Sequence, residues 1–264
     1  MHISNTSSKT NFTRAGILGL GLIGGSWARA LKSLGSYVVA SDIDARSRAD
    51  ALAAGVVDEA GDSPACFENC DLLLLCAPPS IVCQTLPALA TANIGLITDV
   101  CSVKTPVMQA AQSLDNFIGG HPMAGSEQTG FAASNAQLFA NAPYILCVPE
   151  NCVLPPERVA AFENLLAQLG AKIFHMTANE HDAAVARVSH LPHAAAFALK
   201  QIAQAQPECL NIAGRGYADM TRIANASPTL WADIFSRSPE LLPVLKEYIA
   251  ELSRLEERLS GGAK

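Results

Sequence analysis

The residues that could do chemistry fall into three groups, and each group follows an apolar run typical of a buried strand. Cys76, Ala77 and Pro78 end the first run, residues 98–104 (TDVCSVK) end the second, and residues 119–127 (GGHPMAGSE) end the third. In open α/β sheets, ligands bind beyond the carboxyl ends of the strands. We therefore expect the three groups to line one cleft, with the proline-ended run on the cofactor side.

His121 is the candidate general base of this cleft. It follows two glycines and precedes Pro122, which favours an extended backbone at the histidine. A neutral imidazole in that position can accept a hydroxyl proton while a hydride leaves the same carbon. Such chemistry predicts a rate that falls at acid pH, near the ordinary histidine pKa of about 6.5. From position alone, His121 could equally well be a histidine that caps a helix or packs in the core.

Three of the six histidines, His181, His190 and His193, lie close together at the start of the last third of the chain. Their spacing raises the question of a metal site. However, Pro192 stands between the last two, and no acidic third ligand is evident. The pattern favours substrate contact or helix capping, and we predict no metal.

Arg222 stands out because its surroundings contain few charges. It lies among short polar residues in DMTRIA, where a guanidinium indicates a fixed carboxylate partner. That partner is either the substrate or an internal acid such as Asp219 or Asp233. The sequence does not decide between the two.

A glycine pattern typical of dinucleotide binding begins near the N-terminus, with the residues Gly19, Leu20, Gly21, Leu22, Ile23 and Gly24. A strand precedes it, a helix follows it and Asp42 ends the next strand, which makes the pattern specific. The glycines permit a tight turn, let a pyrophosphate approach the backbone and bring the helix close to the strand. The Asp42 carboxylate favours NAD over NADP, because it would bind ribose hydroxyls and repel a 2′-phosphate. Arg46 and Arg48, just beyond it, leave NADP open.

Strands that alternate with helices must position these groups. The candidate strands are residues 15–19, 37–42, 71–77, 94–100, 116–120, 144–149 and 171–176. This alternation predicts an α/β fold with a Rossmann-type doubly wound parallel sheet. After residue 178 the sequence is alanine-rich and helical. We therefore place a dinucleotide-binding domain at residues 1–176 and an all-α substrate and dimerisation domain at residues 177–264.

The composition excludes several other classes of protein. Of 264 residues, 50% are hydrophobic and 16% charged, with a net charge of −6, which argues against a disordered chain and against a nucleic-acid binder. No apolar run reaches the roughly 20 residues of a membrane span, and the polar residues 1–14 do not resemble a signal peptide. The eight cysteines contain no CxxC pair and are typical of buried free thiols, so we expect a cytoplasmic protein.

Taken together, the motifs resemble one family, the prephenate/arogenate (cyclohexadienyl) dehydrogenases. The matching blocks are GLGLIGGS (19–26), DLLLLCAPP (71–79), TDVCSVK (98–104), GGHPMAGSEQTGF (119–131), VSHLPH (188–193) and DMTRIANASPTLWADIF (219–235). The resemblance covers nearly the whole chain. The GHPMAGSE and TRIA…W blocks are specific, because other nucleotide-binding folds do not normally carry both in this order. Many members have an arginine where this chain has Ala218.

The resemblance implies a role for each site residue. His121 is the catalytic histidine that binds the ring hydroxyl of the substrate, and Ser102 orients it by a hydrogen bond near the nicotinamide. Arg222 resembles the arginine that grips a substrate carboxylate, and Glu127 resembles a gating acid. The other implied pocket residues are His193, Ser126 and His181. Family members are homodimers joined mainly through the helical domain.

The implied activity is the NAD-dependent oxidative decarboxylation of prephenate to 4-hydroxyphenylpyruvate, of arogenate to tyrosine, or of both, in tyrosine biosynthesis. The alternative enzyme is a β-hydroxyacid or imine-type NAD(P) dehydrogenase. Those that act on hydroxyacids need a catalytic lysine and, one helical turn later, an asparagine. Here the candidate lysine is Lys200, and the residue one helical turn later is Gln204. The non-enzymatic alternative is a dinucleotide-sensing protein, against which His121, Ser102 and Arg222 together argue.

Overall fold

An eight-stranded sheet forms the first part of this computed structural model, which describes residues 12–149 and 152–261. The strands are β1 (Arg14–Leu18), β2 (Tyr37–Ser41), β3 (Glu59–Gly61), β4 (Leu72–Leu75), β5 (Ile97–Asp99), β6 (Phe117–Pro122), β7 (Pro143–Cys147) and β8 (Lys172–His175). Their order across the sheet is β3-β2-β1-β4-β5-β6-β7-β8. Residues 1–11, on which the signal-peptide prediction depends, lie outside the described residues.

Helices cover the sheet and make up the rest of the chain. The α-helices are α1 (Leu22–Ser33), α2 (Ala45–Ala53), α3 (Pro79–Thr85), α4 (Thr105–Ala110), α5 (Pro156–Gln168), α6 (Ala178–Val185), α7 (Leu191–Gln204), α8 (Arg215–Thr221), α9 (Pro228–Arg237) and α10 (Leu241–Gly261). A π-helical turn, Ala186–His190, joins α6 to α7. The 3₁₀ helices are Pro64–Phe67, Leu86–Thr91, Phe131–Ala133, Pro207–Ile212 and Arg222–Asn225. Within the described residues, no strand follows β8, and no helix has both the length and the hydropathy needed to cross a membrane.

The central strand β4 shows why the apolar runs become sheet. Leu72 and Leu74 pack into one hydrophobic core, and Leu73 and Leu75 pack into a second core on the opposite face. Successive side chains of a strand point to opposite faces, so a strand covered by helices on both sides must be apolar throughout. The second core also contains Trp231 of α9, so the helical part of the chain packs against the sheet.

The Rossmann-type fold class is confirmed, but the prediction of a fully parallel sheet is wrong for one pair. β6 and β7 run antiparallel, whereas every other neighbouring pair is parallel. A parallel pair needs a crossover that is usually a full helix. Between β6 and β7 the chain has only the short 3₁₀ helix Phe131–Ala133, so it returns in the opposite direction.

The β6 strand is longer than predicted and includes the candidate base. It continues through His121 to Pro122, whereas the sequence suggested an end at Gly120. The backbone N–H of Gly120 points toward β5, where it donates to the side chain of Asp99. Backbone nitrogens two residues apart in a strand point the same way, so the nitrogen of Pro122 also faces the β5 side. β5 has already ended at Asp99, so no strand carbonyl there requires the N–H that proline lacks.

Candidate active site

The carboxyl ends of β4, β5 and β6 meet at one edge of the sheet, as the sequence predicted. Cys101 Sγ lies 4.0 Å from the carbonyl oxygen of Ala77, which joins the first two groups. Asp99 joins the second and third, since its Oδ1 accepts from Gly120 N at 3.0 Å and its Oδ2 accepts from Cys101 N at 2.9 Å. The three groups therefore form one cluster.

A buried ion pair lies beneath this cluster. Lys104 Nζ donates to Asp99 Oδ2, and both side chains are 0% exposed. A buried charge is tolerated only when it is paired and hydrogen-bonded, and the two backbone N–H donors to Asp99 complete its coordination. Asp99 and Lys104 therefore fix the turn that connects β5 to α4.

His121 is joined to the helical part of the chain by a line of hydrogen bonds. Its Nδ1 lies 2.8 Å from Nε2 of His181, and Nδ1 of His181 lies 2.8 Å from Oδ1 of Asp182. Asp182 also accepts from the backbone N–H of Lys104 at 2.7 Å and of Thr105 at 2.8 Å, at the start of α4. His181 and Asp182 lie on α6, so the arrangement holds α6, α4 and β6 together.

The electrostatic surroundings keep these histidines neutral. Burial lowers the pKa of His121 well below its ordinary value, and the nearby His181, Lys104 and His190 lower it further. Burial also lowers the pKa of His181, although the hydrogen bond with Asp182 opposes the change. For His190, burial lowers the pKa to about 4. A histidine that is neutral can accept a proton, which is the state that a general base requires.

The predicted hydrogen bond between Ser102 and His121 is absent. Ser102 Oγ is buried and has no hydrogen-bond partner within residues 12–149 and 152–261, as is also true of His190 Nε2. The hydrogen-bond partner of His121 is instead His181, which enters from α6 and meets Nδ1. Ser102 thus remains a polar group without a protein partner, at the edge where a ligand is expected.

Arg222 and Glu127, predicted to have separate roles, contact each other. Arg222 Nη1 donates to Glu127 Oε2 at 2.8 Å, and the two side chains are 58% and 32% exposed. The acid that faces Arg222 is therefore neither of the two that the sequence suggested, and Asp233 instead binds Arg237 at 2.9 Å. Hydrogen bonds from its own backbone and from Arg222 lower the pKa of Glu127. An exposed ion pair contributes little stability, so its carboxylate can be exchanged for another at low cost.

The other predicted pocket residues differ in their surroundings. The ring of His193 stacks on Trp231 with centroids 3.5 Å apart, and its Nδ1–H donates to the carbonyl of Ser189 at 2.9 Å. Ser126 lies exposed in the loop after β6, where its Oγ accepts from the backbone N–H of Gln128 at 3.1 Å. Among the residues that the structure describes, no group of three or more His, Cys, Asp or Glu side chains could hold a metal ion.

The glycine loop fits a dinucleotide. A Cβ on Gly24 would lie 1.8 Å from the carbonyl oxygen of Gly19, so α1 packs against the strand as closely as a glycine allows. Gly19 has a φ of +93°, which favours glycine. A Cβ on Gly21 would meet no described atom within 4 Å, so the space above the start of α1 is open for a pyrophosphate. Asp42 Oδ2 accepts from Leu20 N at 2.6 Å, which orients the loop.

The residues near Asp42 bear on the choice of nucleotide. Arg48 Nη1 donates to the backbone carbonyl of Asp42 at 2.5 Å, and Arg46 lies 3.8 Å from Asp50. Arg48 thus already has a hydrogen-bond acceptor within the chain, and Arg46 has an ion-pair partner. The Asp42 carboxylate stands at the end of β2, where it would repel a 2′-phosphate.

Two features of the site were not predicted from the sequence. Asp182 was not singled out, although it directly follows His181 and a capping box formed by Thr177 and Glu180, which places both residues in the first turns of α6. Trp231 was recognised only as part of a motif, and its stacking on His193 could not be foreseen from a spacing of 38 residues. Lys200, which a β-hydroxyacid dehydrogenase would need for catalysis, donates to Asn225 Oδ1 at 2.7 Å.

Comparisons with known proteins point to one family. A family model described as "Prephenate dehydrogenase, nucleotide-binding domain" matches residues 27–175, and one described as "Prephenate dehydrogenase, dimerization domain" matches residues 177–264. The chain is 34% identical over 254 residues to a prephenate dehydrogenase of Bacillus subtilis, covering 90% of this chain and 68% of that protein. It is 35% identical over 268 residues to a cyclohexadienyl dehydrogenase of Zymomonas mobilis, covering 95% and 90%.

Solved structures give the same result. The structure of prephenate dehydrogenase from A. aeolicus, in complex with hydroxyphenyl propionate and NAD⁺, matches with a TM-score of 0.87 and 29% identity, covering 96% of this chain and 92% of that one. Synechocystis arogenate dehydrogenase matches with a TM-score of 0.76 and 33% identity, covering 94% and 92%.

Proposed function

The chain belongs to the prephenate dehydrogenase family, and on that basis we propose that His121 is the base with which it oxidises its substrate. The enzyme is an NAD-dependent dehydrogenase of prephenate, of arogenate or of both, in tyrosine biosynthesis. The observation that carries the proposal for His121 is a buried neutral imidazole at the carboxyl end of β6, in one cluster with the other strand ends.

The reaction removes a hydride and a hydroxyl proton from the ring carbinol. The ring carboxylate leaves as carbon dioxide, the electron pair it leaves behind completes the aromatic ring, and the phenol oxygen takes back a proton. When bound, NAD supplies the hydride acceptor, and residues 19–24 with Asp42 would hold it. Cys76, Ala77 and Pro78 would line the same cleft. Because aromatisation makes the step effectively irreversible, the protein has mainly to position the ring and accept the proton.

The chain's own residues divide this work. His121 accepts the hydroxyl proton at Nε2, because its Nδ1 is bonded to His181. Arg222 binds a substrate carboxylate, in exchange for or together with Glu127, which acts as a gate over the pocket. His193 presents its Nε2 to the substrate, since its Nδ1 is bonded to Ser189. Ser102 and Ser126 supply hydroxyl groups at the pocket edge.

The domain division and the assembly are part of the same proposal. Residues 1–176 bind the nucleotide and residues 177–264 complete the pocket. The enzyme is a homodimer through the helical domain, which is supported by the match to a dimerisation domain and by exposed apolar residues along α10. These residues are Leu242, Ile249, Leu252, Leu255 and Leu259. All eight cysteines are free thiols, which supports a cytoplasmic location.

One assay tests the activity. NADH formation would be followed with prephenate and with arogenate, each with NAD and with NADP. We expect NADH formation with at least one substrate and a clear preference for NAD. If neither substrate yields NADH, the proposed function is wrong; if arogenate alone is oxidised, the substrate is the amino acid form.

Replacing Arg222 with glutamine or lysine should raise KM for the substrate by roughly 10- to 100-fold, because a charge-assisted hydrogen bond contributes about 1.5–3 kcal/mol. KM for NAD should stay near its wild-type value, because Arg222 binds Glu127 and none of its described hydrogen bonds or ion pairs involves the glycine loop. Initial rates with each substrate varied in turn separate the two constants. Arg158→Gln, on α5, is the control. An unchanged substrate KM would assign Arg222 to an internal ion pair with Glu127 alone.

The pH dependence should differ from that of an ordinary histidine. The pKa of His121 is lowered, so the neutral form persists to lower pH, and kcat/KM should begin to fall only below about pH 6.5.

The free energy of unfolding should decline in the same pH range. The unfolded chain binds protons at the ordinary histidine pKa while buried His121, His181 and His190 do not, so the free energy of unfolding decreases as pH falls below about 6.5. Rate profiles and urea titrations between about pH 5 and 8 would check both, and an acid limb centred above about pH 7 would contradict the assignment.

A further inference from the structure

We propose that His181 and Asp182 are positioning residues that hold His121 in the tautomer with its proton on Nδ1 and its lone pair on Nε2. This inference rests on the proposed function, because it concerns the base of that reaction. It also replaces the substrate contact that the sequence suggested for His181 by a role exerted through His121.

The direction of the hydrogen bonds is set at Asp182. Its Oδ1 accepts from Lys104 N at 2.7 Å and its Oδ2 accepts from Thr105 N at 2.8 Å, while Nδ1 of His181 lies 2.8 Å from Oδ1. Although burial raises it, hydrogen bonds from His181, Thr105 and Lys104 together lower the pKa of Asp182. An ionised carboxylate can only accept hydrogen bonds. The proton of His181 therefore lies on its Nδ1.

That assignment determines the next one. Neutral imidazole carries one N–H and one lone pair, so Nε2 of His181 must be the acceptor in its 2.8 Å contact with His121. His121 then donates from Nδ1, and its own Nε2 bears the lone pair that can take up a hydroxyl proton. The reverse direction would require either a protonated Asp182 that faces two backbone N–H donors or a charged His181, and both are unfavourable, because burial and the nearby Lys104 lower the pKa of His181.

The groups packed around the three residues do not offer a competing hydrogen bond to His121. From β5 and the turn that follows it, Asp99 and Lys104 are paired with each other. From the π-helical turn, His190 directs its Nδ1 to Ser238 Oγ at 2.8 Å. Ser102 Oγ has no partner in the part of the chain that the structure describes. Among the described contacts, the orientation of the His121 ring is therefore set by His181.

The tautomer can be read directly in the wild-type enzyme. Nitrogen-15 NMR of the protein labelled at histidine distinguishes a protonated from an unprotonated ring nitrogen, and His121→Asn identifies the signals of residue 121 by their loss. We expect Nδ1 of His121 protonated and Nε2 unprotonated at about pH 7.5. A protonated Nε2 with a bare Nδ1 would overturn the proposal. This readout needs no turnover, so it is independent of whether prephenate or arogenate is the substrate.

Asp182→Asn tests the consequence for catalysis. Asparagine removes the charge that keeps the His181 proton on Nδ1, and its NH₂ group must face either Thr105 N–H or both Lys104 N–H and Nδ1 of His181. In the second orientation both hydrogen bonds reverse and the His121 proton moves to Nε2, where it blocks the base; nitrogen-15 NMR of the variant shows which orientation is adopted. With the proton on Nε2 we expect kcat to fall by roughly 10²- to 10⁴-fold, with KM for substrate and NAD nearly unchanged. Because a reversed tautomer is not a titration, the loss should persist at every pH from about 6 to 9.

Asp233→Asn is the matched control, because Asp233 also accepts one backbone N–H, from Ser80, and one side-chain donor, from Arg237, without contacting His121. Its kcat should stay within about twofold of wild type. An Asp182→Asn enzyme that keeps wild-type kcat with its His121 proton on Nε2 would refute the positioning role, as would one whose kcat falls with the proton still on Nδ1. One that recovers its rate at high pH would show a shifted pKa in place of a reversed tautomer. If the wild-type enzyme oxidised neither substrate, the proposed function would fail while the NMR result still decided the tautomer.

Discussion

Replacing His121 with asparagine is expected to lower kcat by roughly 10²- to 10⁴-fold and to leave both KM values nearly unchanged. Asparagine is polar and close in size, so it can keep a hydrogen bond to His181 and to a substrate hydroxyl. It cannot accept a proton near neutral pH, so the oxidation loses its base while binding is preserved. Steady-state kinetics with saturating NAD would measure the change.

The control for this variant is His175→Asn. His175 ends β8, and its exposed ring contacts Glu163 at 3.3 Å, away from the strand ends that form the site. We expect its rate to match that of the wild type. If His121→Asn kept a rate within about threefold of wild type, a different group would have to take up the proton, and the assignment of the base would be wrong.

Replacing Lys104 with methionine should lower the free energy of unfolding by about 3–5 kcal/mol, the usual cost of removing one partner of a buried ion pair. Methionine fills much of the same space, so the loss comes mainly from Asp99, whose charge would then face only two backbone N–H groups. Urea denaturation would measure the effect. In the double variant Asp99→Asn, Lys104→Met, the unpaired charge is gone, and we expect part of the stability to return.

Lys172→Met provides the comparison, because Lys172 lies exposed at the start of β8. Its effect should stay within about 0.5 kcal/mol of zero. A loss below about 1 kcal/mol for Lys104→Met would contradict this, because it would mean that buried Asp99 is stable without its ion-pair partner.

The sheet could be predicted because its information is local. Continuous apolar runs such as Leu72–Leu75 indicate burial on both faces, and glycine and proline mark the ends. The short edge strand Glu59–Gly61 was missed because three residues with a charge among them carry no such pattern. The antiparallel direction of β7 was missed for another reason: an apolar run indicates a strand but not its direction, which depends on the length and structure of the connection.

The site residues differ in the same way, because some follow from local sequence patterns and others depend on contacts between distant parts of the chain. The positions of His121 and the glycine loop followed from strand ends and from the resemblance, since both lie next to recognisable motifs. The contact between His121 and His181 could not be derived, because 60 residues separate them and the packing of α6 against the sheet brings them together. The pairing of Arg222 with Glu127 across 95 residues has the same origin.

The π-helical turn Ala186–His190 sets how much the chain length can vary at this point. Such a turn is a single-residue insertion into an α-helix. The wide turn absorbs the extra residue locally, so deleting one residue there would restore regular α-helix and leave the later side chains of α7 facing as before. His193 would still stack on Trp231, whereas the residues inside the turn would shift and His190 would lose its hydrogen bond to Ser238. Alignments of enzymes that share this pocket should therefore place a one-residue gap, where there is one, between residues 186 and 190 and not within α7.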